Sequence, residues 1–154
     1  MKQLEGFLKA VFEPISAERA LVSVFDGDEA GHRSRQNLQQ YFGQKNIQFQ
    51  PNIHYVSIRT GYAVEGLFPD AWLAEAYEQH PGWFDSFSVD AVGAVEPFVV
   101  KDRNKSNLQN LMRKQADEAA NLEWADRWLP VLNAIETALT KQLDKLNQGL
   151  PSAA

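Results

Sequence analysis

The chain has 154 residues, a formal net charge of −5 and no cysteine. That length suits one domain with a real core, and the missing thiols exclude disulfides, thiolate metal sites and a cysteine nucleophile. A charge of this sign argues against a surface that grips nucleic acid by bulk electrostatics, because backbone binders neutralise phosphates with lysine and arginine.

No run approaches the roughly 20 apolar residues of a membrane span. The opening Met1-Lys2-Gln3-Leu4-Glu5-Gly6 has no signal-peptide core, so a cytoplasmic protein is expected. Residues 2 to 12 predict a short helix with Leu4, Phe7, Leu8 and Val11 on one side, broken by Pro14 and Ser16. Leu21-Val22-Ser23-Val24-Phe25 is a β-rich apolar run, the pattern of a strand buried on both faces in a parallel sheet. Asp26-Gly27-Asp28 ends it, and a helix follows from Glu29 to Phe42 with Gly43 placed to close it.

Residues 53 to 58 predict a second strand, and 59 to 68 a loop around Gly61 and Gly66. Pro69 marks the start of a helix over about 70 to 79 that stops before Pro81-Gly82. Residues 83 to 94 carry no clear period. Residues 95 to 101 read as a third strand, at an edge because of Pro97. Further on, Leu108, Leu111, Met112 and Gln115 share one helical face. Val131, Leu132, Ile135, Leu139, Leu143 and Leu146 form an apolar stripe, and Pro130 breaks or kinks what precedes it. Alternating strands and helices followed by helices predict an α/β fold with a small, mostly parallel sheet. Residues 1–120 would form the sheet domain, 121–147 a helical extension and 148–154 a frayed tail.

The aspartate pair carries the most chemistry. Two aspartates two positions apart at the carboxyl end of a strand project to one side, about 6 to 7 Å apart. That suits a hard cation bound through oxygen, and magnesium takes only one or two protein carboxylates, leaving its other positions to water and phosphate. Open α/β sheets also place ligands at the carboxyl ends of their strands. Asp-Gly-Asp is equally a common turn, in which Asp28 merely caps the helix from Glu29. Both readings stand.

The run Phe25-Asp26-Gly27-Asp28-Glu29-Ala30-Gly31 resembles the aspartate motif of TOPRIM domains, found in primases, topoisomerases and OLD-family nucleases. The residues around it are most similar to the OLD-family version, where a glutamate shortly precedes a Leu-Phe-Pro-like turn, here Val64-Glu65-Gly66-Leu67-Phe68-Pro69. A later lysine opening a helix also belongs to that pattern. Lys105 matches best, with Lys101 behind it. The resemblance, spanning roughly residues 3 to 115, implies a TOPRIM-like (Rossmann-like) sheet and a magnesium- or manganese-dependent nuclease that hydrolyses DNA phosphodiesters. It makes Asp26 and Asp28 metal ligands, Glu65 a further acidic ligand or its orienter, and Lys105 a stabiliser of phosphate charge. All four are the implied catalytic set.

One feature departs from the pattern. TOPRIM domains begin with a strand ending in glutamate, and Glu5-Gly6 comes too early to end a buried strand, so Glu5 is expected on the first helix. No Gly-x-x-x-x-Gly-Lys loop occurs either, so the OLD-type ATPase is not expected. These gaps point to part of a larger nuclease, with a sheet edge left open for a partner chain or self-association. A catalytically incomplete assembly module is the competing reading. A haloacid-dehalogenase-type phosphatase also uses Asp-x-Asp but expects Thr or Val where Ala30 stands.

Among the remaining candidates, His32, Arg33 and Arg35 are expected as exposed residues of the helix after the motif. His54 and His80 lack metal-ligand companions. Trp72, Trp83, Trp124 and Trp128 could stack on bases, but helical spacing favours packing, at least for Trp72, Trp124 and Trp128.

Overall fold

The computed structural model describes residues 2–148. Its elements in chain order are α1 (Lys2–Ser16), β1 (Ser23–Phe25), α2 (Glu29–Gly43), β2 (Tyr55–Ser57), α3 (Asp70–Gln79), β3 (Phe84–Ser86), β4 (Val99–Val100), α4 (Lys105–Glu118) and α5 (Trp128–Gln148). The fold is mixed α/β with two small sheets. β1 and β2 pair in parallel, and β3 and β4 pair antiparallel. The chain divides into two compact units. One takes the residues up to Thr60 and those from Pro130 onward; the other is Gly61–Leu129. Residues 149–154 of the expected tail lie outside the described residues.

In the first unit, α1 runs four residues beyond its expected end and passes through Pro14. Proline holds a helical φ, but this far into the helix it gives up the bond to the Ala10 carbonyl and its ring crowds that carbonyl. The buried line of α1 is Leu8 and Phe12, with Leu4 packed behind them. Phe7, expected inward, is 54% exposed. Leu8 and Phe12 join Phe25, Leu38, Phe42, Phe49 and Tyr55 in one core. The rings of Phe12 and Phe42 lie 4.8 Å apart, and Phe12 meets Phe49 edge-on at 5.2 Å, a favoured arrangement for aromatic pairs.

β1 is not buried on both faces, contrary to the expectation for its apolar run. Ser23 and Phe25 point inward, whereas Val24 is 42% exposed. The parallel pairing ends at two strands, and side chains of so short a sheet alternate between core and solvent. α5 also buries a different line from the leucine stripe. Ala138 and Gln142 are buried, while Leu132 and Leu143 are about half exposed. Small Ala138 permits close approach, and Gln142 bonds to backbone at the starts of both parallel strands. Pro130 sits in the first turn of α5, where its missing N–H has no intrahelical partner to lose, so it neither breaks nor kinks the helix.

The second unit has its own core of Tyr62, Leu73, Ala76, Phe84, Val95, Phe98, Val100, Leu108 and Met112. α4 buries Leu108 and Met112, the face its periodicity predicts. Strand structure in residues 95 to 101 shrinks to Val99–Val100, with Val95 bridging Val89 alone. Its partner β3 comes from the stretch without a clear period, where Phe84 pairs with Val100 and supplies the buried ring.

Candidate functional site

The first unit places the aspartate motif at the carboxyl ends of its parallel strands. The Ile58 N–H donates to the Phe25 carbonyl at 3.0 Å, extending the pairing one residue past β2. Asp26 therefore leaves β1 beside the chain leaving β2, and both Asp26 and Asp28 are partly buried. Two glycines permit this turn. A methyl group at Gly27 would collide with the Arg59 carbonyl, and one at Gly31 with the carbonyl of Asp26 itself. Both positions need the bare backbone because another backbone passes within contact distance.

Asp28 is the N-cap of α2. Its backbone is extended (φ −75°, ψ 177°), and Oδ1 accepts the Gly31 N–H at 2.7 Å. Capping satisfies one of the first-turn amides that a helix leaves without an internal partner. The turn-and-cap reading of Asp-Gly-Asp is thus what the geometry displays directly. Capping engages one carboxylate oxygen and leaves Oδ2 as an oxygen donor. Two carboxylates flanking a glycine are a donor set that fits magnesium. Among the described residues, no group of three or more His, Cys, Asp or Glu could hold a metal ion.

The other two residues implied by the resemblance belong to the second unit. Glu65 is buried, 4% exposed, on a 3-10 turn Val64–Leu67 whose Gly66 packs against the Tyr62 ring. The Tyr62 hydroxyl donates to the Val95 carbonyl at 2.6 Å, which holds that ring in place. Lys105 opens α4, and its Nζ lies 2.9 Å from Asp102 Oδ1 on the surface. Lys101 donates instead to the Gly82 carbonyl at 2.9 Å. Asp26 and Asp28 are thus brought together by one turn, with Glu65 and Lys105 placed on a separate unit.

His32 is exposed, with Nδ1 2.9 Å from Arg35 Nη2, and Arg33 pairs with Glu29 at 2.8 Å. Arg35 is not simple solvated surface. Its guanidinium lies 6.0 Å from the Tyr55 ring centroid, and its buried Nε has no partner. Glu5 sits on α1 and accepts from Ser34 Oγ at 2.8 Å, joining α1 to α2. The tryptophans pack: Trp72 stacks on Trp124, Trp128 meets Phe68 edge-on, and Trp83 stacks on His80.

Two positioning residues give no signal in the sequence. Gln142 bonds to the backbone at the starts of both parallel strands. Arg127 Nη1 donates to the Phe68 carbonyl and to Asp70 Oδ1 at 2.9 and 2.7 Å, fixing the turn that follows Glu65. The hydrogen bond to Asp70 raises the Arg127 pKa above its ordinary value. Sequence separations of 57 to 121 residues hide both from any local pattern.

No family model matches the chain, and no curated protein or solved structure gives a significant match. Among the described residues, no helix is long and apolar enough to cross a membrane.

Proposed function

We propose that the first unit is a TOPRIM-like metal-binding module of the OLD-nuclease type, acting in magnesium- or manganese-dependent hydrolysis of DNA phosphodiesters. One observation carries the reading. A parallel β1–α2–β2 unit presents Asp26 and Asp28 at its carboxyl end, on a turn whose two glycines are forced by backbone contact.

When bound, the metal would polarise a phosphoryl oxygen and lower the pKa of its water. Asp26 and the second oxygen of Asp28 would hold it, and the remaining amides at the start of α2 would favour an anion nearby. The resemblance alone assigns Glu65 a ligand or orienting role and Lys105 a charge-stabilising one, and both residues stand on the other unit. No strand precedes β1 among the described residues, so the glutamate that TOPRIM domains place there has no counterpart. A missing acid–base group costs on the order of 10²- to 10⁴-fold in rate, so slow nicking by the chain alone is expected.

A second reading, a binding module that pairs with another chain, draws on Val24. In the parallel register the backbone N–H and C=O of Val24 face away from β2, and its side chain is exposed. Strand edges of this kind accept a further strand.

Calorimetric titration of magnesium and manganese into wild type and the Asp26→Ala/Asp28→Ser variant separates these readings, with plasmid nicking on the same samples. Binding and nicking that vanish together in the variant support the nuclease. Binding without nicking indicates an incomplete site. No heat from wild type eliminates the metal site and leaves the binding module.

A further inference from the structure

At the opposite, amino end of the parallel strands, the first unit contains a cleft of about 1040 Å³. It lies among the end of α1, the loop ahead of β2 and the last turns of α5. Sites for small organic ligands run from about 300 to 1,000 Å³, with apolar walls and a few polar groups that orient the occupant. β1 and β2 separate the cleft from the aspartate turn by about 10 Å of strand.

The walls divide by chemistry. Phe12, Ile53 and Leu146 supply apolar surface. Lys141 and Lys145, one turn apart on α5, line the cleft against a single carboxylate, Glu18. His54 adds a donor whose tautomer is set by its neighbour. The Gln50 N–H donates to Nδ1 at 3.0 Å, so the neutral ring carries its proton on Nε2. That ring is held against Phe49, nearly parallel at 6.4 Å, and edge-on to Phe12 at 5.4 Å. Burial first, and then the charge of Lys145, push the imidazole below its ordinary pKa. Gln142 also lines the cleft, but both ends of its amide are occupied by backbone. The two ammonium groups thus outnumber the one carboxylate in the cleft lining.

We infer that this cleft is a binding site for a small organic anion with a flat apolar body, its anionic group held by Lys141 and Lys145. The inference is independent of the metal site, because all of these residues lie at the far end of the strands from Asp26.

The test is a fluorescence titration of the intact chain with 8-anilinonaphthalene-1-sulfonate and with its neutral counterpart, N-phenyl-1-naphthylamine. Wild type is compared with Lys141→Glu/Lys145→Glu. Both lysines are exposed, so the variant retains the fold, checked by an unchanged melting curve. Saturable one-to-one binding of the sulfonate is expected, weakened at least about tenfold by the charge reversal while the neutral dye changes by no more than about twofold. The His54 imidazole NMR signals should move during the same titration. Unsaturable binding, sulfonate affinity unchanged in the variant, equal weakening of both dyes, or an unmoved His54 would each overturn the inference.

Discussion

The side chain of Gln142 meets the backbone of Leu21 as one strand meets another. Its Oε1 accepts the Leu21 N–H at 2.9 Å and its Nε2 donates to the Leu21 carbonyl at 3.0 Å. The same Nε2 reaches the Ile53 carbonyl just ahead of β2. One amide thereby satisfies three backbone groups at the amino ends of both parallel strands, where no further strand does so among the described residues. Each buried polar group left without a partner costs about 1–3 kcal/mol. Gln142→Leu is therefore expected to destabilise by about 3 kcal/mol or more in urea unfolding. Gln142→Glu should also destabilise, since a carboxylate offers neither donor. A loss below about 0.5 kcal/mol in the leucine variant would show that water replaces the amide without penalty.

The glycines divide by environment rather than by frequency. Gly27→Ala and Gly31→Ala force a methyl group into a backbone carbonyl and should each destabilise by about 1–3 kcal/mol. Gly6 lies within α1 with nothing near its Cβ position. There alanine should stabilise by about 0.5–1 kcal/mol through helix propensity and reduced freedom of the unfolded chain. Chemical denaturation of the three variants checks the opposite signs in one experiment.

Asp28 has a structural duty and a proposed chemical one, and serine separates them. Asp28→Ala removes the cap and should cost about 1 kcal/mol. Asp28→Ser keeps an oxygen for the Gly31 N–H and should stay within about 0.5 kcal/mol of wild type. Both variants should lose magnesium heat in calorimetry. Wild-type magnesium affinity in the serine variant would reduce Asp28 to a cap.

His54 links stability to pH. Its pKa is depressed from 6.5 first by burial and then by Lys145. The folded state therefore resists the proton that the unfolded state accepts. Stability from this group is fully present above about pH 6.5 and declines as pH falls through that value toward the folded pKa. The melting temperature should drop between roughly pH 7.5 and 5.5, more steeply in wild type than in His54→Asn, whose amide oxygen can accept the Gln50 N–H in place of Nδ1. Parallel slopes in the two proteins would assign the acid sensitivity to other groups.

Local pattern located the helices but not every end: α1 runs on through Pro14, and Gly43, expected to close α2, is its last residue, with Gln44 as the cap. The α2 start and the Leu108–Met112 face of α4 depend on spacing within one element. The aspartate motif was legible for the same reason: a strand, a glycine-containing turn and a cap span nine residues, Ser23–Gly31. Burial of individual faces was not. Val24, Phe7 and Leu143 are apolar in apolar patterns, yet only the arrangement of neighbours decides that they remain exposed.

By itself, then, the sequence determined where the chain turns and which turn carries two carboxylates, because propensity, capping and glycine requirements act over a few residues. Tertiary structure alone decided that the parallel pairing stops at two strands. It also decided that residues 83 to 94 feed an antiparallel pair, and that Gln142 completes the backbone of Leu21 from 121 positions away. Those outcomes depend on which backbone groups find partners across long stretches of chain. No local period records that choice, since each unpaired N–H or carbonyl is satisfied by whatever the fold brings to it.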